Sequence, residues 1–162
     1  VLCGYAYGAT FGFLLGSLSL LVSALIGGGI GPWLPYQMLA LGWVGMTSAW
    51  IPDLRRRPRT EVAVLSIWAL AWGFVFGAIM NIWFWPYIYA PQQSGMYWER
   101  GQGLIESLRS YAVFYVVTSL WWDLARASGN ALLTGLMARP VLTLLRRFER
   151  RFFFAWTDQT SS

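Results

Sequence analysis

The chain has 162 residues and a net charge of +5, and 57% of its residues are hydrophobic whereas only 12% are charged. Soluble domains carry roughly a quarter of their residues as charged side chains, so this balance favours a membrane protein. All twelve basic residues are arginines beside apolar segments, which argues against nucleic-acid binding. The absence of histidine excludes histidine-based catalysis and imidazole metal sites. Cys3 is the single cysteine, which excludes internal disulfides.

The first predicted membrane span covers residues 2–26 and ends at the glycine-rich turn 27–32. No charged residue precedes Asp53 and no signal-peptide pattern is visible, so we expect a true span. Glycines recur at every fourth position of this span, at Gly4, Gly8, Gly12 and Gly16. Such a stripe lets another helix approach closely, either within the bundle or on a partner subunit.

The second predicted span covers residues 33–51 and ends at Pro52, where a basic loop begins. The third covers residues 62–85 and is closed by Pro86. Both stretches are free of charged residues, and Gly73 and Gly77 repeat the four-residue spacing in the third. We therefore expect both to lie in lipid.

A polar loop is predicted for residues 90–109, and the fourth span for residues 110–137. Pro140 is predicted to separate this span from a tail, residues 139–162, in which apolar and arginine side chains alternate. Such a tail is typical of an amphipathic helix on the membrane surface, and contact with a cytoplasmic partner is the alternative. The predicted fold is an all-α, polytopic membrane bundle of four spans in residues 1–138, followed by this tail.

The arginines predict the orientation. Nine of the twelve lie on one side of the predicted topology, in the loop after the second span and in the tail: Arg55, Arg56, Arg57, Arg59, Arg139, Arg146, Arg147, Arg150 and Arg151. Because cytoplasmic loops are enriched in basic residues, this side should be the cytoplasm. We expect a multi-pass protein of the bacterial cytoplasmic membrane with its C-terminus inside.

Five polar side chains are predicted at membrane depth, where such groups are costly and normally face an interior. They are Gln37, Asn81, Asp123, Arg126 and Asn130. Asp123 and Arg126 are three residues apart on the fourth span, which is the spacing of a helical ion pair. This pair either holds the helix in register or takes part in substrate handling or coupling.

The outward ends of the predicted spans are rich in aromatic residues. We expect two amides and four aromatic residues to bind a substrate: Trp33, Gln37, Asn81, Trp85, Tyr111 and Tyr115. An aromatic cup with a few amide donors and acceptors is typical of a small-molecule site. The alternative is an interfacial aromatic belt, which needs no amides.

Two segments resemble the S components of energy-coupling factor (ECF) transporters, the membrane subunits that capture vitamins. Residues 12–51 resemble the third and fourth helices of that family, with Gly31, Pro32, Trp33, Pro35, Gln37 and Met38 matching a Gly-Pro-Trp-x-Pro-x-Gln-Met signature. The segment TSLWWDLARASGNALLTGLMARPVLTLLRRFERRF resembles the last helix, with Asp123, Asn130 and Pro140 at matching places.

The resemblance implies a six-helix bundle that binds its ligand from outside, of which the four predicted spans correspond to helices three to six. The family's first two helices have no counterpart in this sequence, and the first of them carries the family's docking motif for the coupling subunit. Implied partners are a transmembrane coupling subunit and two cytoplasmic ATPases, since the chain has no phosphate-binding loop. The implied ligand is a vitamin; the signature favours cobalamin or a related tetrapyrrole, and riboflavin-like vitamins remain open. No enzymatic activity and no cofactor are expected.

Two other classes remain open at this stage. An intramembrane enzyme acting on lipid or prenyl substrates would use Asp123 as its acid or base and would need a second carboxylate at similar depth. A structural membrane subunit without a ligand would use the glycine stripe as its functional surface.

Overall fold

The computed structural model describes residues 1–85, 101 and 103–151, and its regular structure is helical. The helices are α1 (Leu2–Tyr7), α2 (Ala9–Gly27), α3 (Leu34–Thr47) with a 3₁₀ turn (Ser48–Trp50), α4 (Pro58–Phe84), α5 (Leu104–Phe114), a π turn (Tyr115–Ser119) and α6 (Leu120–Arg151). The described residues contain no strand, so the predicted all-α class is confirmed.

Two helices are long and apolar enough to cross a membrane, Ala9–Gly27 and Pro58–Trp83. Only 11% and 22% of the residues in their most apolar stretches are buried, unlike the core helix of a soluble protein. Helix α3 has 14 residues, or about 21 Å at 1.5 Å per residue, which is less than the hydrocarbon core of a bilayer. Helix α6 is longer, but Asp123 and Arg126 make its first half less apolar. The structure therefore shows two candidate spans of the four predicted.

The prediction of one continuous helix over residues 2–26 is wrong, because Gly8 interrupts it. Gly8 has φ 93° and ψ 176°, a conformation that side-chain-bearing residues rarely adopt. The chain changes direction there, so that α1 folds against α2. The predicted end is accurate: α2 stops at Gly27, followed by Gly28 in the left-handed conformation that commonly terminates helices.

Helix α2 packs along α3 at very short range, in antiparallel order. A Cβ atom at Gly12 would overlap the carbonyl group of Gly45, and one at Gly16 would overlap that of Leu41. Gly4, from α1, also faces the Gly45 carbonyl. Three glycines of the predicted stripe thus pack within the chain, whereas Gly8 has no neighbour within 4 Å of where its Cβ would lie.

Helices α4 and α6 form a second antiparallel pair. Gly73 lies against the backbone of Ala127, and Gly77 lies against the side chain of Asp123. Further along the pair, Leu65 packs with Ala138, Leu142 and Ile51 in a buried cluster. Contacts of α3 with α4 and of α1 with α6 join the two pairs.

The predicted helix break at Pro140 is also wrong. Helix α6 continues through Pro140 to Arg151, so the first part of the predicted tail belongs to the same helix as the predicted fourth span. A proline inside a helix costs about 3 kcal/mol through a lost hydrogen bond and a steric clash. Ala138 and Leu142 on either side are fully buried against α4, and this packing offsets the cost. Residues 152–162 of the predicted tail lie outside the described residues.

The predicted polar loop 90–109 ends earlier than expected. Helix α5 begins at Leu104 and continues through the π turn into α6, so residues 104–109 are helical. Glu106 lies in the first turn of α5, where the helix dipole favours an acidic residue. Residues 86–100 and 102, which include most of this loop, lie outside the described residues.

A buried ionic cluster ties α1, α4 and α6 together near the start of α4. The Glu61 carboxylate is 3% exposed, accepts a hydrogen bond of 2.8 Å from the Tyr5 hydroxyl, and pairs with both terminal nitrogens of Arg146. The Tyr5 hydroxyl in turn accepts a bond of 2.9 Å from the Leu54 amide. The hydrogen bonds that Arg146 donates to Glu61 raise the pKa of the Arg146 guanidinium.

Replacing Tyr5 by phenylalanine is expected to destabilise the fold by about 1–2 kcal/mol. The substitution removes one donor to buried Glu61 and the only acceptor that the described residues offer the Leu54 amide, and unsatisfied buried groups cost about that much. The matched control is Tyr36→Phe, because the Tyr36 hydroxyl makes no hydrogen bond with a described residue. Thermal unfolding in detergent should show a lower midpoint for Tyr5→Phe only; equal midpoints would contradict the role of the cluster.

Candidate ligand-binding site

Three aromatic residues predicted to bind substrate lie together where α4 ends and α5 passes into the π turn. We call Trp85, Tyr111 and Tyr115 the aromatic cluster. The Trp85 and Tyr111 rings meet edge to face with centroids 5.4 Å apart, and the Tyr111 and Tyr115 rings are 6.3 Å apart. The Tyr111 hydroxyl donates a hydrogen bond of 2.8 Å to the Ala78 carbonyl, which fixes α5 against α4.

Asn81 lies at the same end of α4 and is half-buried. Its side-chain oxygen accepts a hydrogen bond of 3.0 Å from the Ser119 hydroxyl. Its amide nitrogen carries two donors, for which no acceptor lies among the described residues. Ser119 and Tyr115 are the two ends of the π turn, and such turns occur frequently at functional sites because they redirect side chains.

Trp33 and Gln37, the other two predicted substrate-binding residues, lie on a different helix from the aromatic cluster. Both belong to the start of α3, where the Trp33 ring covers Gly31 and Gln37 is half-buried. The neighbouring Tyr36 ring lies 5.2 Å from the Trp83 ring of α4, so this start faces the end of α4 that carries Asn81. The Gln37 side chain makes no hydrogen bond with a described residue.

Asp123 and Arg126 form the ion pair that their spacing predicts, with 2.6 Å between Arg126 Nη1 and Asp123 Oδ1. Asp123 is 2% exposed, and its other oxygen accepts a hydrogen bond of 2.9 Å from the Tyr115 hydroxyl. A Cβ atom at Gly77 would overlap this carboxylate. The glycine therefore makes the space in which a charged side chain is buried between two helices.

Arg126 and Asn130 also line an open cavity of about 410 Å³ between the two helix pairs. The other polar residue in its wall is Thr134, and the apolar wall includes Leu41, Val44, Ala69, Trp72 and Phe76. The sequence predicts structural or coupling roles for Arg126 and Asn130, whereas Trp72, Phe76 and Thr134 are not among the predicted site residues. The four-residue spacing of Trp72 from Phe76 and of Thr134 from Asn130 could have identified them, since residues four apart share a helix face.

Comparisons with protein-family models, with curated proteins and with solved structures gave no match. The function is therefore inferred from the geometry of the chain and from its motifs.

The arrangement suits binding more directly than acid-base catalysis. The described residues contain no group of three or more His, Cys, Asp or Glu side chains that could hold a metal ion. The other buried carboxylate among them, Glu61, is 16 positions from Gly77 along α4, or about 24 Å from Asp123 at 1.5 Å per residue. By contrast, aromatic faces with an amide at one helix end, and a partly polar cavity beside them, are the usual components of a small-molecule site.

Proposed function

We propose that this chain is the substrate-capture (S) component of an ECF-type vitamin importer. The observation that carries the proposal is the meeting of Asn81, Trp85, Tyr111 and Tyr115 at one end of a bundle whose longest apolar helices are largely exposed. An exposed apolar surface of this extent suits lipid, and a site at one end of the bundle would be approached by a ligand from one side of a membrane. The two motif-bearing segments that resemble the S components support the same function.

The proposed topology has four crossings, with α3 and the first half of α6 as the spans that are shorter or more polar than the other two. The basic loop and the end of α6 would face the cytoplasm of a bacterium. Their proximity supports this: Arg55 lies 3.6 Å from Glu149, and Glu61 pairs with Arg146. Basic segments that lie together are expected on one membrane side, and that side is normally the inner one.

In this proposal the aromatic end faces outward, where Gln37 and Asn81 orient a vitamin that stacks on Trp33 and Trp85. Uptake would need partners, namely a transmembrane coupling subunit and two cytoplasmic ATPases that drive ligand release. The signature in residues 31–38 favours cobalamin or a related tetrapyrrole as the ligand.

Binding to a panel of cobalamin, riboflavin, biotin and thiamine tests the proposal. The purified full chain should bind one member, and Gln37→Ala and Asn81→Ala should each raise its Kd about tenfold, since one lost hydrogen bond is worth about 1.4 kcal/mol. Thr143→Val is the control: within the described ranges its hydroxyl donates only to the Arg139 carbonyl of its own helix, in the opposite half of α6.

Two outcomes would contradict parts of the proposal. If the two alanine variants bind the vitamin like the parent, the assignment of Gln37 and Asn81 is wrong. If the parent binds no member of the panel and does not co-purify with an ATPase pair, the capture function itself is wrong.

A further inference from the structure

The cavity between the helix pairs has one polar wall and one aromatic wall. Arg126, Asn130 and Thr134 follow one another at four-residue spacing on α6, so they form a polar stripe along one face. Trp72 and Phe76 have the same spacing on α4 and line the cavity as well. Because α4 and α6 pack against each other, the rings and the polar stripe lie side by side in the cavity wall. A flat molecule in the cavity would contact both.

The Arg126 guanidinium is held in place before any ligand arrives. Its Nη1 donates to Asp123, and its central carbon lies 5.5 Å from the centre of the Phe76 ring, within the range of a cation-π interaction. A guanidinium has five N–H donors, and the bond to Asp123 uses one. The others remain for acceptors at the cavity wall, and a donor group that is already fixed loses little entropy on binding.

The charge balance of the cavity distinguishes between kinds of acceptor. Among the described residues that line it, Arg126 has the only charged side chain, and Asp123 already neutralises Arg126 at 2.6 Å. A carboxylate or phosphate ligand would add a negative charge next to Asp123 with no second charged side chain in the wall to balance it, which is costly among apolar groups. A carbonyl oxygen accepts the same hydrogen bonds without that cost.

We propose that this cavity binds a neutral, flat molecule whose ring carbonyl oxygens accept hydrogen bonds from Arg126, Asn130 and Thr134 while its ring lies against Trp72 and Phe76. The inference rests on the capture function proposed above and specifies its substrate class as a neutral cyclic amide or imide. At about 410 Å³ the cavity is near the lower end of the roughly 300–1,000 Å³ typical of ligand pockets, which suits a ligand of one to three rings. A tetrapyrrole would extend beyond it, so this inference favours the smaller vitamins of the panel over cobalamin.

Matched pairs of probes that share a ring carbonyl and differ in the charge of one substituent test this inference: biotinamide and biotin, riboflavin and riboflavin 5′-phosphate. For any pair that the purified full chain binds, the neutral member should have a Kd at least tenfold lower. Arg126→Gln should raise the Kd of the neutral member about tenfold, and Thr134→Val, which keeps the shape of the side chain, about threefold. Thr143→Val should change neither.

Asp123→Asn provides the sharpest readout, because it removes the balancing charge but leaves the cavity wall in place. In this variant the anionic member of the pair should gain at least tenfold relative to the neutral one, measured on the folded fraction. Thr134→Val keeps the test decisive should the charge variants fail to fold.

The possible failures can be told apart. If the parent binds a pair but prefers the anionic member, or if Arg126→Gln and Thr134→Val both bind like the parent, the neutral-ligand inference is wrong and the capture function stands. If the parent binds cobalamin or thiamine but none of the paired probes, this inference alone is wrong. If it binds none of the probes and none of the vitamin panel and does not co-purify with an ATPase pair, the capture function fails and this inference with it.

Discussion

Replacing Gly45 by alanine is expected to destabilise the protein by about 3 kcal/mol, the upper end of the usual cost of overpacking. The added Cβ would overlap the backbone carbonyl group of Gly12, and the Gly45 carbonyl already faces Gly4. A backbone atom cannot rotate out of the way as a side chain can, so α2 and α3 would have to separate. For a chain of this length the unfolding midpoint in detergent should fall by roughly 6–12 °C.

Gly129→Ala is the matched control for this prediction. Gly129 is also a helical glycine, but nothing lies within 4 Å of where its Cβ would be. Alanine is the better helix former by about 0.5–1 kcal/mol, so this variant should be neutral or slightly more stable. A Gly45→Ala protein that unfolds at the parent's temperature would show that α2 and α3 do not approach as closely as described.

Replacing Asp123 by asparagine should cost about 3 kcal/mol. The substitution keeps the shape of the side chain and an acceptor for the Tyr115 hydroxyl but leaves Arg126 without its counter-ion. Breaking a buried ion pair from one side costs about 3–5 kcal/mol, and we take the lower value because the Arg126 side chain is 41% exposed. The unfolding midpoint of the purified variant measures the effect.

The double variant Asp123→Asn with Arg126→Gln separates the ion pair from its surroundings. Because it removes both charges, it should recover a large part of the stability lost by Asp123→Asn alone. If the stability losses of Asp123→Asn and Arg126→Gln simply add in the double variant, the two charges do not interact, and their pairing does not stabilise the fold.

The sequence alone determined the class of structure and several of its boundaries. The absence of charge before Asp53 and between Val62 and Trp98 predicted long apolar helices, and two of the described helices meet that description. The glycine-rich turn ended α2 within one residue of the prediction, since glycine readily adopts the left-handed conformation that Gly28 has. The i, i+3 spacing also predicted the Asp123–Arg126 pair, which is local to one helix.

Predictions failed where neighbouring helices outweighed a local preference. The four-residue spacing predicts Gly8 as one glycine of a regular stripe, but a positive φ makes it the hinge between α1 and α2. Pro140 predicts a helix end, but burial of Ala138 and Leu142 against α4 keeps α6 continuous. The cost of a helix-breaking residue can be predicted from the sequence, whereas the packing that offsets this cost involves residues distant in the sequence.

The candidate site, too, was predicted in part by the sequence and in part decided by packing. Composition placed aromatic residues and amides at the ends of predicted helices, and the structure brings Asn81, Trp85, Tyr111 and Tyr115 together there. The cavity of Arg126 and Asn130 depends on how α6 is rotated toward α4, and the Glu61–Arg146 pair joins residues 85 positions apart. Composition and spacing fix what a helix is made of and where it ends; which face meets which neighbour is decided only when all the helices pack, because that choice minimises the free energy of the whole bundle.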